Sequence, residues 1–126
     1  MNEEVEPYLS KVEECLAGAQ SEFANGRYNN ATNRAYYAAY NAAIVALIRA
    51  GLSTRRWAHD EVQALFAGQL VVRRKLYPGD MRRVLADLIV ARTRADYGRE
   101  LVSKAVAERA LRRANDFVRR ITRIQR

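Results

Sequence analysis

The sequence predicts an all-α fold, an up-and-down bundle of four long helices plus one short helix, and three observations carry that prediction. In the stretch Arg34 to Ile48, thirteen of the fourteen residues after the arginine are apolar or aromatic, and only Asn41 interrupts. A helix greasy all round has to be surrounded by other helices. Elsewhere apolar residues recur at steps of three and four, and no useful length of sequence alternates with the period of a strand. Helix breakers are few, two Pro and six Gly in 126 residues. A chain of this length is expected to form a single domain, 1–126, with a core of its own, since chains of about 150 residues bury roughly 70% of their unfolded surface.

The first helix is predicted to start near Asn2 or Glu3, where early glutamates suit the positive helix end and Pro7 falls close enough to the first turn to be tolerated. Val5, Leu9, Val12, Leu16, Ala19 and Phe23 form its apolar stripe, and Asn25-Gly26 supplies the stop. The second helix runs from about Tyr28 to Ala50 and ends at Gly51 by the same device. So short a connection makes the two an antiparallel hairpin. Leu52 to Trp57 is a basic loop, and a shorter third helix spans about His59 to Leu70, with Val62, Leu65, Phe66 and Gln69 on related faces. Val71 to Tyr77 fits either an extension of that helix or a loop, until Pro78-Gly79-Asp80 breaks it. Asp80 is the expected N-cap of the fourth helix, which turns Met81, Val84, Leu85, Leu88 and Ile89 inward and ends at about Tyr97-Gly98. Ser103 caps the fifth, whose inward set is Ala107, Ala110, Leu111, Ala114, Phe117, Val118, Ile121 and Ile124.

Charge is unevenly spread. Residues 1 to 25 hold six Glu against one Lys, whereas residues 26 to 126 hold 21 basic against 8 acidic side chains, for a net charge of +8. Such a field concentrates phosphates and acidic partners. The fifth helix alone carries Arg109, Arg112, Arg113, Arg119, Arg120, Arg123 and Arg126. Those arginines fit either a grip on an RNA backbone or a solvated face that pairs with the acidic first helix of another subunit. One cysteine and one histidine supply neither a disulfide nor a set of zinc ligands, so no metal and no cofactor are expected, and Cys15 reads as a small core residue in a reducing cytosol. The apolar stretch is too short to cross a bilayer, for which about 20 residues are needed. No signal peptide is visible, and a cytoplasmic protein without a membrane anchor is expected.

Gly-rich phosphate loops, Gly-flanked serines and histidine-glutamate zinc helices are missing. The unusual residue is Arg92, seven after Leu85 and four after Leu88, which helical geometry directs along the apolar stripe. An inward guanidinium needs a partner, because burying an unpaired charge is costly, and Asp96 stands one turn on. Two readings follow: an ion pair that merely closes the bundle, or a cleft in which Arg92 binds phosphate and Asp96 orients it. Arg34 poses the same question, sharing a helix face with Tyr37 and Ala38. His59, at the start of the third helix, is a capping or surface residue unless partners stand beside it.

Three strings bear on function: ATNRAYYAAYNAAIVALIRAG at 31–51, HDEVQALF at 59–66 and RTRADYG at 92–98. Together with the Asn25 to Tyr28 turn they resemble the HEPN domain, in particular its small stand-alone prokaryotic branch. That resemblance implies a helical bundle that is usually a homodimer, often acts in RNA cleavage or binding, and is in many cases encoded beside a minimal nucleotidyltransferase as toxin and antitoxin. Active HEPN ribonucleases carry Arg, then four to six residues, then His, and cleave without metal. Arg92 matches the arginine, but the spacing puts Tyr97, Gly98 or Arg99 where the histidine belongs, and none is an imidazole able to titrate near neutral pH.

Three functions are thereby in view. One is a binding module whose cleft, lined by Arg34, Tyr37, Arg92, Asp96 and Tyr97, holds RNA or a nucleotide. A second is a metal-independent endoribonuclease using Arg92 with His59 or Tyr97, and a third is a non-catalytic helical adaptor. The resemblance also implies that Tyr97 is a residue on which a nucleotidyltransferase partner could place AMP.

Overall fold

The Arg34 to Ile48 stretch lies inside helix α2 (Tyr28–Arg49), and from Ala38 to Ile48 only Tyr40 is not buried. Residues 2–124 are described in a computed structural model, with side chains from 3 to 123. Helix α1 (Asn2–Ala24) folds back on α2, and helices α4 (Val84–Tyr97) and α5 (Lys104–Ile124) also pack directly against it. Ala35, Ala38, Ala39, Ala42, Ala43 and Ala46 are at most 1% exposed, and these short side chains let neighbouring helices approach α2 closely. Large side chains then fill the seams, among them Leu47, Phe66, Phe117 and Ile121. Each buried side chain of this size contributes about 1.5–3 kcal/mol.

The glycine stops work as expected. Gly26 and Gly51 have φ of +76° and +80°, a conformation that favours residues without a Cβ. Beyond α2, Gly51 N donates to Ile48 O at 3.0 Å and Leu52 N to Leu47 O at 2.9 Å, the paired bonds of a Schellman end. The same pattern closes α1, from Gly26 N to Phe23 O and Arg27 N to Glu22 O.

Helix α3 (His59–Leu65) runs on as π-helical turns over Phe66–Arg73, so the first half of the ambiguous segment extends the helix and the rest is irregular. The start of α4 corrects the sequence reading. Gly79–Met81 forms one 3-10 turn, the helix begins at Val84 behind Arg83, and Asp80 caps nothing. Its carboxylate instead accepts both terminal nitrogens of Arg120 at 2.7 and 3.2 Å, tying the turn to α5, and this pairing holds the Asp80 carboxyl below its ordinary range.

Ser103 does cap α5, its hydroxyl accepting from Val106 N at 3.2 Å. Ala107, Ala110, Ala114, Phe117, Val118 and Ile121 face inward, with Leu111 partly covered. The Ile124 side chain and Arg126, also named from the sequence, lie outside the described residues. Arg113 pairs with Asp87 of α4 at 2.9 Å, so the basic face of α5 is partly spent on holding the bundle together. Cys15 is buried, and that burial pushes its thiol above the ordinary range. Among the described residues there is no strand, no cluster of side chains able to hold a metal ion, and no helix long and apolar enough to cross a membrane.

Candidate anion-binding site between α2 and α4

Helical spacing builds the site from two faces. On α2, Asn33, Tyr37 and Tyr40 lie at steps of four and three, with Arg34 and Tyr36 beside them; on α4, Arg92 and Asp96 are one turn apart. Where α4 packs on α2 these faces meet. Arg92 Nη2 donates to the Tyr37 hydroxyl at 3.0 Å, and the guanidinium carbon lies 5.5, 5.9 and 6.0 Å from the ring centres of Tyr37, Tyr97 and Tyr36. A cation within about 6 Å of several aromatic faces is attracted by each of them.

Arg92 and Asp96 form an ion pair, Nε to Oδ2 at 3.0 Å, with side chains 18% and 24% exposed. The carboxylate nevertheless lies off the line of the Nε–H, so that buried N–H donates no hydrogen bond. Asp96 accepts instead from Asn33 Nδ2 at 3.0 and 3.2 Å. The other end of the same amide, Oδ1, accepts from Arg34 Nε at 2.9 Å and Nη2 at 2.6 Å. An amide between a cation and an anion can point only one way, oxygen to the arginine and nitrogen to the carboxylate. Arg34 continues the chain with Nη1 3.8 Å from Cys15 Sγ and its guanidinium carbon 5.1 Å from the Tyr37 ring centre. Tyr37 thus has both arginines against its ring. Arg34 itself is exposed, and with Tyr37 and Tyr40 it lines a surface hollow beside Lys11 of α1.

His59 reaches the cluster from α3. Its ring stacks over Tyr40 at 4.6 Å and Tyr36 at 5.5 Å, stands edge-on to Tyr37 at 5.7 Å, and brings Nδ1 within 2.6 Å of the Tyr36 hydroxyl. Burial lowers the imidazole pKa and the positive charge of Arg92 lowers it further, with Asp60 opposing. Burial pushes the Tyr36 phenol well above its ordinary range, helped by Tyr40 and Tyr37. At neutral pH the phenol therefore keeps its proton, and it shares one hydrogen bond with the imidazole Nδ1, whose direction follows the tautomer of the ring. Tyr40, whose phenol burial also raises, donates to the Trp57 carbonyl and ties the preceding loop to α2.

Arg34, Tyr37, Arg92, Asp96 and Tyr97 therefore share one neighbourhood, with His59 behind the tyrosine rings. Tyr97 stands at its mouth, 75% exposed. Sequence reasoning missed Asn33, the hinge between the two arginines. Its position four residues before Tyr37 was the available signal, since that spacing puts it on the same face.

A helical hairpin packed against two further long helices, with an arginine of α4 set against a tyrosine-rich α2, defines an all-α protein of the HEPN type. The HEPN domain model matches residues 5–124, and the chain belongs to that family. It is also 29% identical over 121 residues to a candidate toxin of Methanocaldococcus jannaschii, an alignment that covers 96% of this chain and 88% of the relative.

Proposed function

We propose that this chain is the toxin-like component of a HEPN and minimal nucleotidyltransferase pair, working as a homodimer in the cytoplasm, and that the cleft around Arg92 binds a phosphate of RNA or of a nucleotide. The likeness to a candidate toxin supports the first half. One observation carries the second: the Arg92 guanidinium, oriented by the Tyr37 hydroxyl and paired with Asp96, keeps 18% of its side chain exposed between the two helices. Arg34, oriented by Asn33 and 5.1 Å from the Tyr37 ring centre, adds a second positive charge.

Binding is favoured over cleavage because no histidine follows Arg92 at the family spacing. The test combines fluorescence anisotropy with labelled RNA and a cleavage assay on total tRNA in chelator. Salt-sensitive binding that weakens in Arg92→Ala, without cleavage, is the expected result. Cleavage lost in both Arg92→Ala and His59→Ala would establish the ribonuclease instead. Neither binding nor cleavage, with a stable nucleotidyltransferase complex, would leave a helical adaptor. The exposed Tyr97 phenol is the group a nucleotidyltransferase could modify with AMP; mass spectrometry after co-expression tests this, and an unmodified Tyr97 in the complex counts against it.

A further inference from the structure

Tyr97 is the last residue of α4, and two features set its ring in the open. Gly98 follows, with N–H donating to Arg94 O at 2.9 Å, and a Cβ there would lie 2.5 Å from that oxygen. Only glycine fits the turn, and it places no side chain beside the ring. The next segment is drawn back to the start of α2, where Val102 N donates to Asn29 Oδ1 at 2.9 Å. The ring is left 75% exposed, with its face open to a flat partner.

One cation stands against it. The Arg92 guanidinium lies 5.9 Å from the ring centre, and in sequence Arg94 and Arg99 stand three before and two after Tyr97, with Asp96 and Glu100 near them. An aromatic face beside arginines is the arrangement by which proteins hold unpaired bases: the ring stacks on the base while the cations follow the backbone. A lone phosphate has no use for the ring, and a duplex does not offer its base faces.

We infer that Tyr97 is a stacking platform for one unpaired base whose adjoining phosphate sits at Arg92, so that the ligand of this site is single-stranded RNA. This rests on the phosphate reading of Arg92 and adds the ring as a determinant of ligand class. The role belongs to the π face and not to the hydroxyl, so phenylalanine should replace tyrosine.

The test uses the full chain with a pentauridylate carrying 2-aminopurine at its centre, whose fluorescence is quenched on stacking, and with the same oligomer made abasic at that position. Quenching on binding is expected. Tyr97→Ala should weaken binding of the 2-aminopurine oligomer by about 5- to 100-fold, the range for loss of one stacked base, and remove the quenching. Tyr97→Phe should keep both, and the abasic oligomer should bind native protein and Tyr97→Ala alike. Binding of the abasic oligomer without quenching of the other would overturn the platform and leave the phosphate site standing. No binding of either oligomer would overturn both. A Tyr97→Phe as weak as Tyr97→Ala would assign the hydroxyl, not the ring. Loss of self-association by sedimentation in Tyr97→Ala, with quenching intact, would assign the ring to a protein contact.

Discussion

Arg92 reaches from α4 to the hydroxyl of Tyr37 on α2, 3.0 Å away, and this contact sets the direction in which the guanidinium faces. The tyrosine ring also has Arg34 against it, its guanidinium carbon 5.1 Å from the ring centre. Removing the hydroxyl should release the arginine without removing its charge. Tyr37→Phe is expected to cost about 1–2 kcal/mol in urea unfolding, as for a hydrogen bond to a charged group, and to weaken RNA binding less than Arg92→Ala does.

Asn33 is a sharper probe, because its amide serves two opposite charges at once. Asn33→Asp keeps an acceptor for Arg34 but turns the donor facing Asp96 into a second carboxylate. Two carboxylates at about 3 Å repel, so the variant should be less stable than Asn33→Ala above about pH 5, where both are ionised, and recover as the pH falls. Urea midpoints of the two variants at pH 4.5 and 7.5 check this.

The central helix and the inward course of Arg92 were legible because each follows from spacing within one helix. The unbroken apolar run of α2 demanded burial, and Leu85, Leu88 and Arg92 lie on one stripe wherever α4 packs. Asn33 was not legible as a bridge, since its two partners come from its own helix and from a residue 63 positions away. His59 looked like a cap, and only the packing of α3 on α2 reveals its bond to Tyr36. Asp80 has the composition of an N-cap, but Arg120 offers its carboxylate a charged fork, and the local preference yields to that tertiary partner.

His59 is the only histidine, so a stability slope between pH 7 and 5 can be assigned to it with little interference. Its pKa in the folded protein lies below the ordinary 6.5, because burial and Arg92 both oppose the charged form. The unfolded chain therefore binds a proton that the folded one refuses. Stability is complete above about pH 6.5 and declines as the pH drops below it, until the folded pKa is passed and the slope ends. The surrounding groups are Tyr36, Tyr37, Tyr40, Arg92 and Asp60, none of which has an ordinary titration in this window. His59→Asn keeps an acceptor for Tyr36 and cannot titrate, so the decline between pH 7 and 5 should flatten in that variant.

The two readings of Arg92 make opposite predictions for stability and binding. If the pair with Asp96 only closed the bundle, Arg92→Ala would strand a carboxylate, and breaking such a pair when fully buried costs about 3–5 kcal/mol. This pair is not fully buried, with Asp96 24% exposed, and Asn33 continues to donate to the carboxylate after the arginine is gone. Arg92→Ala should therefore cost about 1.5–3 kcal/mol, the hydrogen bond to Tyr37 included and short of a fully buried pair. The same variant should weaken RNA binding by about 10- to 100-fold, the loss of a hydrogen bond from a charged donor. Arg92→Lys separates charge from geometry: an ammonium keeps the positive field but cannot donate to Tyr37 and to a phosphate through one planar fork, so its binding should fall between native and Arg92→Ala. A large loss of stability with unchanged RNA affinity would show that the arginine is a structural clasp.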